Sequence, residues 1–126
     1  MANLVMNCSL SVSPTVGGQP ALSQIFTSAL SVATYLESVV SPPNTLVTLA
    51  SLIGPVGTSA LRLRNITPAS VAGTSIVLVF VGGVLLATLL PGQELAVVGT
   101  VAISISVQQS GSAAAGLTQL YVLSAT

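Results

Sequence analysis

The chain has 126 residues, room for one compact domain, and only 3% of them are charged, against about 25% in an average soluble domain. The cations are Arg62 and Arg64, the anions are Glu37 and Glu94, and the net charge is zero. With no His, Asp, Lys or Trp, the composition excludes a Ser–His–Asp or Ser–Lys nucleophile, a His/Cys metal centre, a P-loop lysine and a basic footprint for nucleic acid.

The expectation is therefore a non-enzyme that needs no cofactor and no metal. Particles with so little charge do not repel one another. That predicts a surface covered by copies of the same chain or by a partner protein.

In chain order, the first predicted element is the alternating run Leu4, Met6, Cys8, Leu10, Val12, an opening strand. Cys8 is the single cysteine, so no intrachain disulfide forms, and its place in the run reads as a small buried hydrophobe. A turn signal follows at residues 14–20 (PTVGGQP). Residues 21–40 are the best helix candidate, but their Ser, Thr and Val content favours strand. No Lys or Arg precedes Arg62, which argues against a secretory signal peptide.

Turn signals recur at 41–44 (SPPN), 54–57 (GPVG), 67–73, Gly82-Gly83, Pro91-Gly92, Gly99 and 110–116. Short segments rich in Val, Leu, Ile and Thr lie between them, at the spacing of a β-sandwich or barrel. Leu61 and Leu63 face one way and Arg62 and Arg64 the other, because side chains alternate across a strand. Val101, Ile103, Ile105 and Val107 alternate with Ala102, Ser104 and Ser106. Residues 120–123 (LYVL) read as a final strand buried on both faces or nearly so, and 110–116 (SGSAAAG) as a mobile connection that tolerates even Ser112→Pro. The predicted fold is all-β: one β-sandwich or jelly-roll-like domain of about eight short strands over residues 1–126.

Residues 71–90 carry no charge and are long enough to cross a bilayer as a helix. A small membrane-inserted protein is thus the alternative of a different class. Against it, Gly82-Gly83 splits the span into two β-rich runs, as in a two-residue hairpin, and Pro91-Gly92 follows at once. The rest of the chain is almost as free of charge, so the span does not stand out as an anchor.

The run SLIGPVGTSALRLRNITPAS, then two strands, LLPGQE, and a closing LYVLSA resembles small virion proteins of tailed bacteriophages. The matching positions are Leu61, Leu63, Asn65, Ile66, then Leu90, Pro91, Gly92, Glu94, then residues 120–123, with NCSLSVS like their opening strand. Two features depart from that pattern: Gln93 intervenes before Glu94, and related chains carry more charge. The resemblance implies a sandwich with a structural role in the virion, assembled in the host cytoplasm. The leading role is a capsid decoration (cement) protein that contacts the major capsid protein; a head–tail, tail or fibre-base component is the alternative. Its partners would be other virion proteins and copies of itself, a trimer being one arrangement.

Arg62 and Arg64 on one strand face read either as a solvated face or as an interface clamp. Arg forks suit carboxylates, and Glu37 and Glu94 are the internal candidates. Arg62, Arg64, Glu94 and Glu37 are therefore the candidate interface residues, with at least one Arg expected on a carboxylate. Asn65 is expected to start the following turn through its side-chain carbonyl.

Overall fold

In β5 (Ala60–Asn65), β6 (Ile76–Val81), β9 (Ile105–Ser110) and β10 (Leu120–Ala125), buried positions alternate with more open ones, as the sequence pattern predicts. A computed structural model describes residues 2–16, 19–32, 35–56, 60–98, 104–114 and 116–125, with the backbone alone for 2–32. The chain divides into two compact units, Met1–Ala33 and Thr34–Thr126. The sequence expectation placed all of 1–126 in one sandwich; the two-sheet sandwich occupies the second unit.

The first unit is a long antiparallel hairpin of β1 (Ala2–Val16) and β2 (Gln19–Val32), with an irregularity in register between Val12 and Thr15. Of the turn signal at 14–20, residues 14–16 and 19–20 are strand. In the helix candidate over 21–40 the described residues, 21–32 and 35–40, are strand, as its β-branched content favours. Cys8 pairs with Phe26 in register; its side chain, whose burial the alternation predicted, lies outside the described residues.

The second unit holds β3 (Tyr35–Val40), β4 (Val47–Thr48), α1 (Leu49–Ile53), β5 (Ala60–Asn65), β6 (Ile76–Val81), β7 (Val84–Leu89), β8 (Glu94–Val98), β9 (Ile105–Ser110) and β10 (Leu120–Ala125). Two four-stranded sheets form, in the orders β3-β10-β5-β8 and β4-β9-β6-β7. All their pairings are antiparallel. The pairing is nested: β3 goes with β10, β4 with β9, β5 with β8 and β6 with β7. The second unit is thus one long folded hairpin wrapped across two sheets, which is a jelly roll.

The core lies between the sheets. Leu61 and Leu63 of β5, Val77 and Val79 of β6, Leu89 of β7, Ile105 and Val107 of β9, and Leu120 and Val122 of β10 fill it. Leu49 of α1 joins them, fully buried. Each such side chain contributes about 1.5–3 kcal/mol when taken from water. The sequence pattern shows no helix because α1 is five residues long, too short for a periodic stripe. It ends at Gly54, whose N–H donates to the Ala50 carbonyl at 2.9 Å.

The span 71–90 is no helix. It holds β6, a turn and β7, and Gly82 and Gly83 both have positive φ (57° and 81°), the signature of a type I′ hairpin turn. Among the described residues no helix is long and apolar enough to cross a membrane.

One expectation is met and one corrected. Strand β10 is buried on both faces or nearly so: Leu120 and Val122 are buried, and Tyr121 and Leu123 on the outer face are half-buried. The segment 110–116 is tied rather than loose. The Thr74 N–H donates to Ser112 Oγ at 2.9 Å, and the Ala113 N–H donates to the Thr74 carbonyl at 3.1 Å. Gly111 has φ 122° and passes so close to the Thr74 carbonyl that a Cβ would collide with it. Ser112→Pro removes the Oγ acceptor, so it is not neutral. Gly57, Gly99, Val101, Ala102 and Ile103 lie outside the described residues; Ile105 and Val107 are buried as the alternation predicts.

Candidate functional site

Every charged side chain of the protein lies on one face of one sheet. In β5 the buried Leu61 and Leu63 turn Arg62 and Arg64 outward. Antiparallel partners share a face. The register sets Arg62 level with Leu123 of β10 and with Ala96 of β8, and Leu123 level with Glu37 of β3. It sets Arg64 level with Tyr121 and Glu94, and Tyr121 level with Val39. Tyr35 falls on the same face, level with Ala125. Both arginines, both glutamates and both tyrosines of the chain therefore share the outer face of β3-β10-β5-β8.

Glu94 stands directly opposite Arg64, yet it binds Arg62 on the diagonal. Arg62 Nε donates to Glu94 Oε2 at 2.8 Å, and Nη2 lies 2.6 Å from the same oxygen. Diagonal neighbours on a sheet are within reach of long side chains. This is the carboxylate contact expected for at least one arginine, and it is made within the chain. Both side chains are 39–46% exposed, so water screens the pair and its net worth is about 0.2–1 kcal/mol. Arg64 is exposed and has no ion-pair partner among the described residues.

At the other end of the face, the Tyr121 hydroxyl donates to the Glu37 carboxylate. Burial raises the Tyr121 pKa above its ordinary 10.0; the charge of Glu37 and the hydrogen bond to it add to the rise, and Arg62 opposes it. Glu37 thus has a neutral partner rather than a cation.

A second polar centre lies inside the sandwich. Asn65 ends β5 and is fully buried. Its Nδ2 donates to the carbonyls of Ser75 (3.3 Å) and Leu89 (2.9 Å), and its Oδ1 accepts from the Thr67 N–H (3.2 Å) and hydroxyl (2.6 Å). Thr67 Oγ1 also accepts the Gln119 N–H at 3.0 Å, and Ser75 Oγ donates to Thr118 Oγ1 at 2.9 Å. The Asn65–Thr67 turn was legible in the sequence. Ser75 and Thr118 were not, since they lie far from Asn65 in the sequence and only the fold brings them to it. The network joins the end of β5 to the entries of β6 and β10 and to the last residue of β7. Saturated and enclosed, it holds the sheets together and presents nothing to a ligand.

The Gly92 N–H donates to the Asn65 carbonyl, and the Asn65 N–H to the Gln93 carbonyl, at 2.7 and 3.0 Å. Gln93 Oε1 accepts the Leu90 N–H at 2.9 Å. The residue that interrupts the Pro-Gly-Glu pattern therefore closes the turn with its own side chain.

Among the described residues no cluster of His, Cys, Asp and Glu could hold a metal ion. No family model, curated protein or solved structure matches the chain.

Proposed function

We propose that this protein is a non-enzymatic structural component of a tailed-phage virion, a capsid decoration subunit that works through protein–protein contacts. The observation that carries the reading is strand β7. It is the free edge of β4-β9-β6-β7, with Val84, Leu85 and Leu86 exposed at 71%, 50% and 52% and no charge along it. An edge strand presents unpaired backbone groups, and proteins that stay apart blunt such edges with charges, proline or bulges. The irregularity between Val79 and Phe80 is the one such device here. An uncharged apolar edge suits a subunit whose edge is covered in an assembly.

Jelly rolls occur in capsid proteins, lectins and cupins, so the fold does not choose among these roles. The choice rests on the resemblance over Leu61, Leu63, Asn65, Ile66, Leu90, Pro91, Gly92 and Glu94, and on a composition that offers no catalytic group. The partners are a major virion protein and other copies of the chain.

Mass spectrometry of gradient-purified particles tests it, with heads and tails separated. The chain should be present in the head fraction, in proportion to the major capsid protein. Its presence with tails would move it to a tail or fibre-base role. Its absence from particles would overturn the reading.

A further inference from the structure

We infer that the outer face of the β3-β10-β5-β8 sheet binds a second copy of this chain across a twofold axis, with Arg64 of each copy paired to Glu37 of the other. The inference deepens the proposed structural role and rests on the reading of the chain as an assembling subunit.

The charge pattern of the face is self-complementary. Its two cations lie on β5, and its two anions lie on β3 and β8, on either side. Arg62 is satisfied within the chain by Glu94. Arg64 has no ion pair, and Glu37 has only the Tyr121 hydroxyl. One unpaired cation and one unpaired anion of this kind are what an isologous contact requires, because each appears twice and each meets the other.

The positions fit one arrangement. Let the twofold axis lie between two facing sheets and run along β10. Then β3 of one copy faces β5 of the other. Tyr121 and Leu123 meet their own counterparts on the axis, and Glu37 comes level with Arg62 of the other copy and diagonal to its Arg64, the kind of offset that Glu94 already spans to reach Arg62 within the chain. Turning the axis perpendicular to the strands instead brings Arg62 and Arg64 against each other, which is repulsive. Tyr and Arg are also the residues most enriched at the energetic centres of interfaces, and this face holds all of both types in the chain.

The face is small. Three strands overlap in this arrangement, β8 lying beyond the partner's edge; about 4.8 Å apart and about six residues long, they bury on the order of 600 Å² in total, below the size of a standard specific contact. The dimer is therefore weak alone, with a Kd of micromolar order, and gains strength where many copies are held side by side.

Sedimentation equilibrium of the purified full chain, over about 1–200 µM to bracket a weak dimer, tests this with three variants: Arg64→Glu, Glu37→Arg and the double reversal. Both positions are exposed, so the variants should fold, and circular dichroism checks that they do. The expected result is a wild-type monomer–dimer equilibrium, weakened at least about tenfold by each single reversal and restored by the double one. A wild-type monomer throughout, a dimer indifferent to the single reversals, or single losses that the double reversal does not restore would each overturn the inference. No particle enters this assay. A failed dimer with intact particle binding removes this contact alone, and an intact dimer with no particle binding removes the virion role alone.

Discussion

At the scale of single residues, two polar groups of similar size do opposite work. Asn65 is fully buried and makes four hydrogen bonds. Asn65→Ala leaves two carbonyls and the Thr67 N–H without partners, and each buried orphan costs about 1–3 kcal/mol; a loss of about 3 kcal/mol or more is expected in urea titration. Asn65→Asp replaces a donor to two carbonyls with an oxygen. The buried carboxyl resists ionisation, its pKa rises, and the variant gains stability as pH falls from that raised value to the ordinary carboxylate one. Arg62→Ala, by contrast, removes a screened pair and costs no more than about 1 kcal/mol. The Tyr121 phenol, raised by burial and by Glu37, binds its proton more tightly folded than unfolded. Its contribution is present below pH 10 and is lost as pH rises through the raised value, so denaturation between pH 8 and 11 should show a shallower alkaline fall in Tyr121→Phe. The Asn65 turn could be read from Asn-Ile-Thr, because an Asx turn is local. Its partners Ser75 and Thr118 could not, because only the folded sheets bring them together.

At the scale of elements, Gly82-Gly83 shows why the apolar span is a hairpin. Two positive φ angles in succession suit glycine and end any helix through the span, while Val, Ile and Phe on one side and Val and Leu on the other suit strands. Val79 is central in β6, pairing with Val107 and Ala87 and fully buried. Val79→Pro removes a ladder donor there and should abolish the cooperative melt seen by circular dichroism. The edge strand β7 gives the opposite expectation. Leu85 is half exposed, so Leu85→Lys changes stability by no more than about 0.5 kcal/mol, while light scattering should show less self-association of the purified chain. Strands were legible because alternation is strong in β5 and β9. The helix α1 was not, since one turn carries no periodic signal.

At the scale of the whole molecule, charge is segregated. One sheet carries all four charged side chains outward, and the other ends in an uncharged apolar edge. Composition foretold scarcity of charge, but only the register shows that Glu37 of β3 and Glu94 of β8 flank the arginines of one strand; residues at sequence separations such as 62 and 94 meet through strand order. The nested jelly-roll pairing is likewise a property of order, legible as class but not as topology. A molecule with one charged face and one bare edge is suited to standing between neighbours, and the proposed virion role rests on that suitability together with the resemblance of residues 61–94. Rebinding to particles tests this most directly. Purified protein is added to particles from a phage strain lacking the gene, and the chain sedimenting with them is quantified against concentration. The account predicts saturable binding in proportion to the capsid protein, reduced by Leu85→Lys. A wild-type chain that stays at the top of the gradient at every concentration would contradict it.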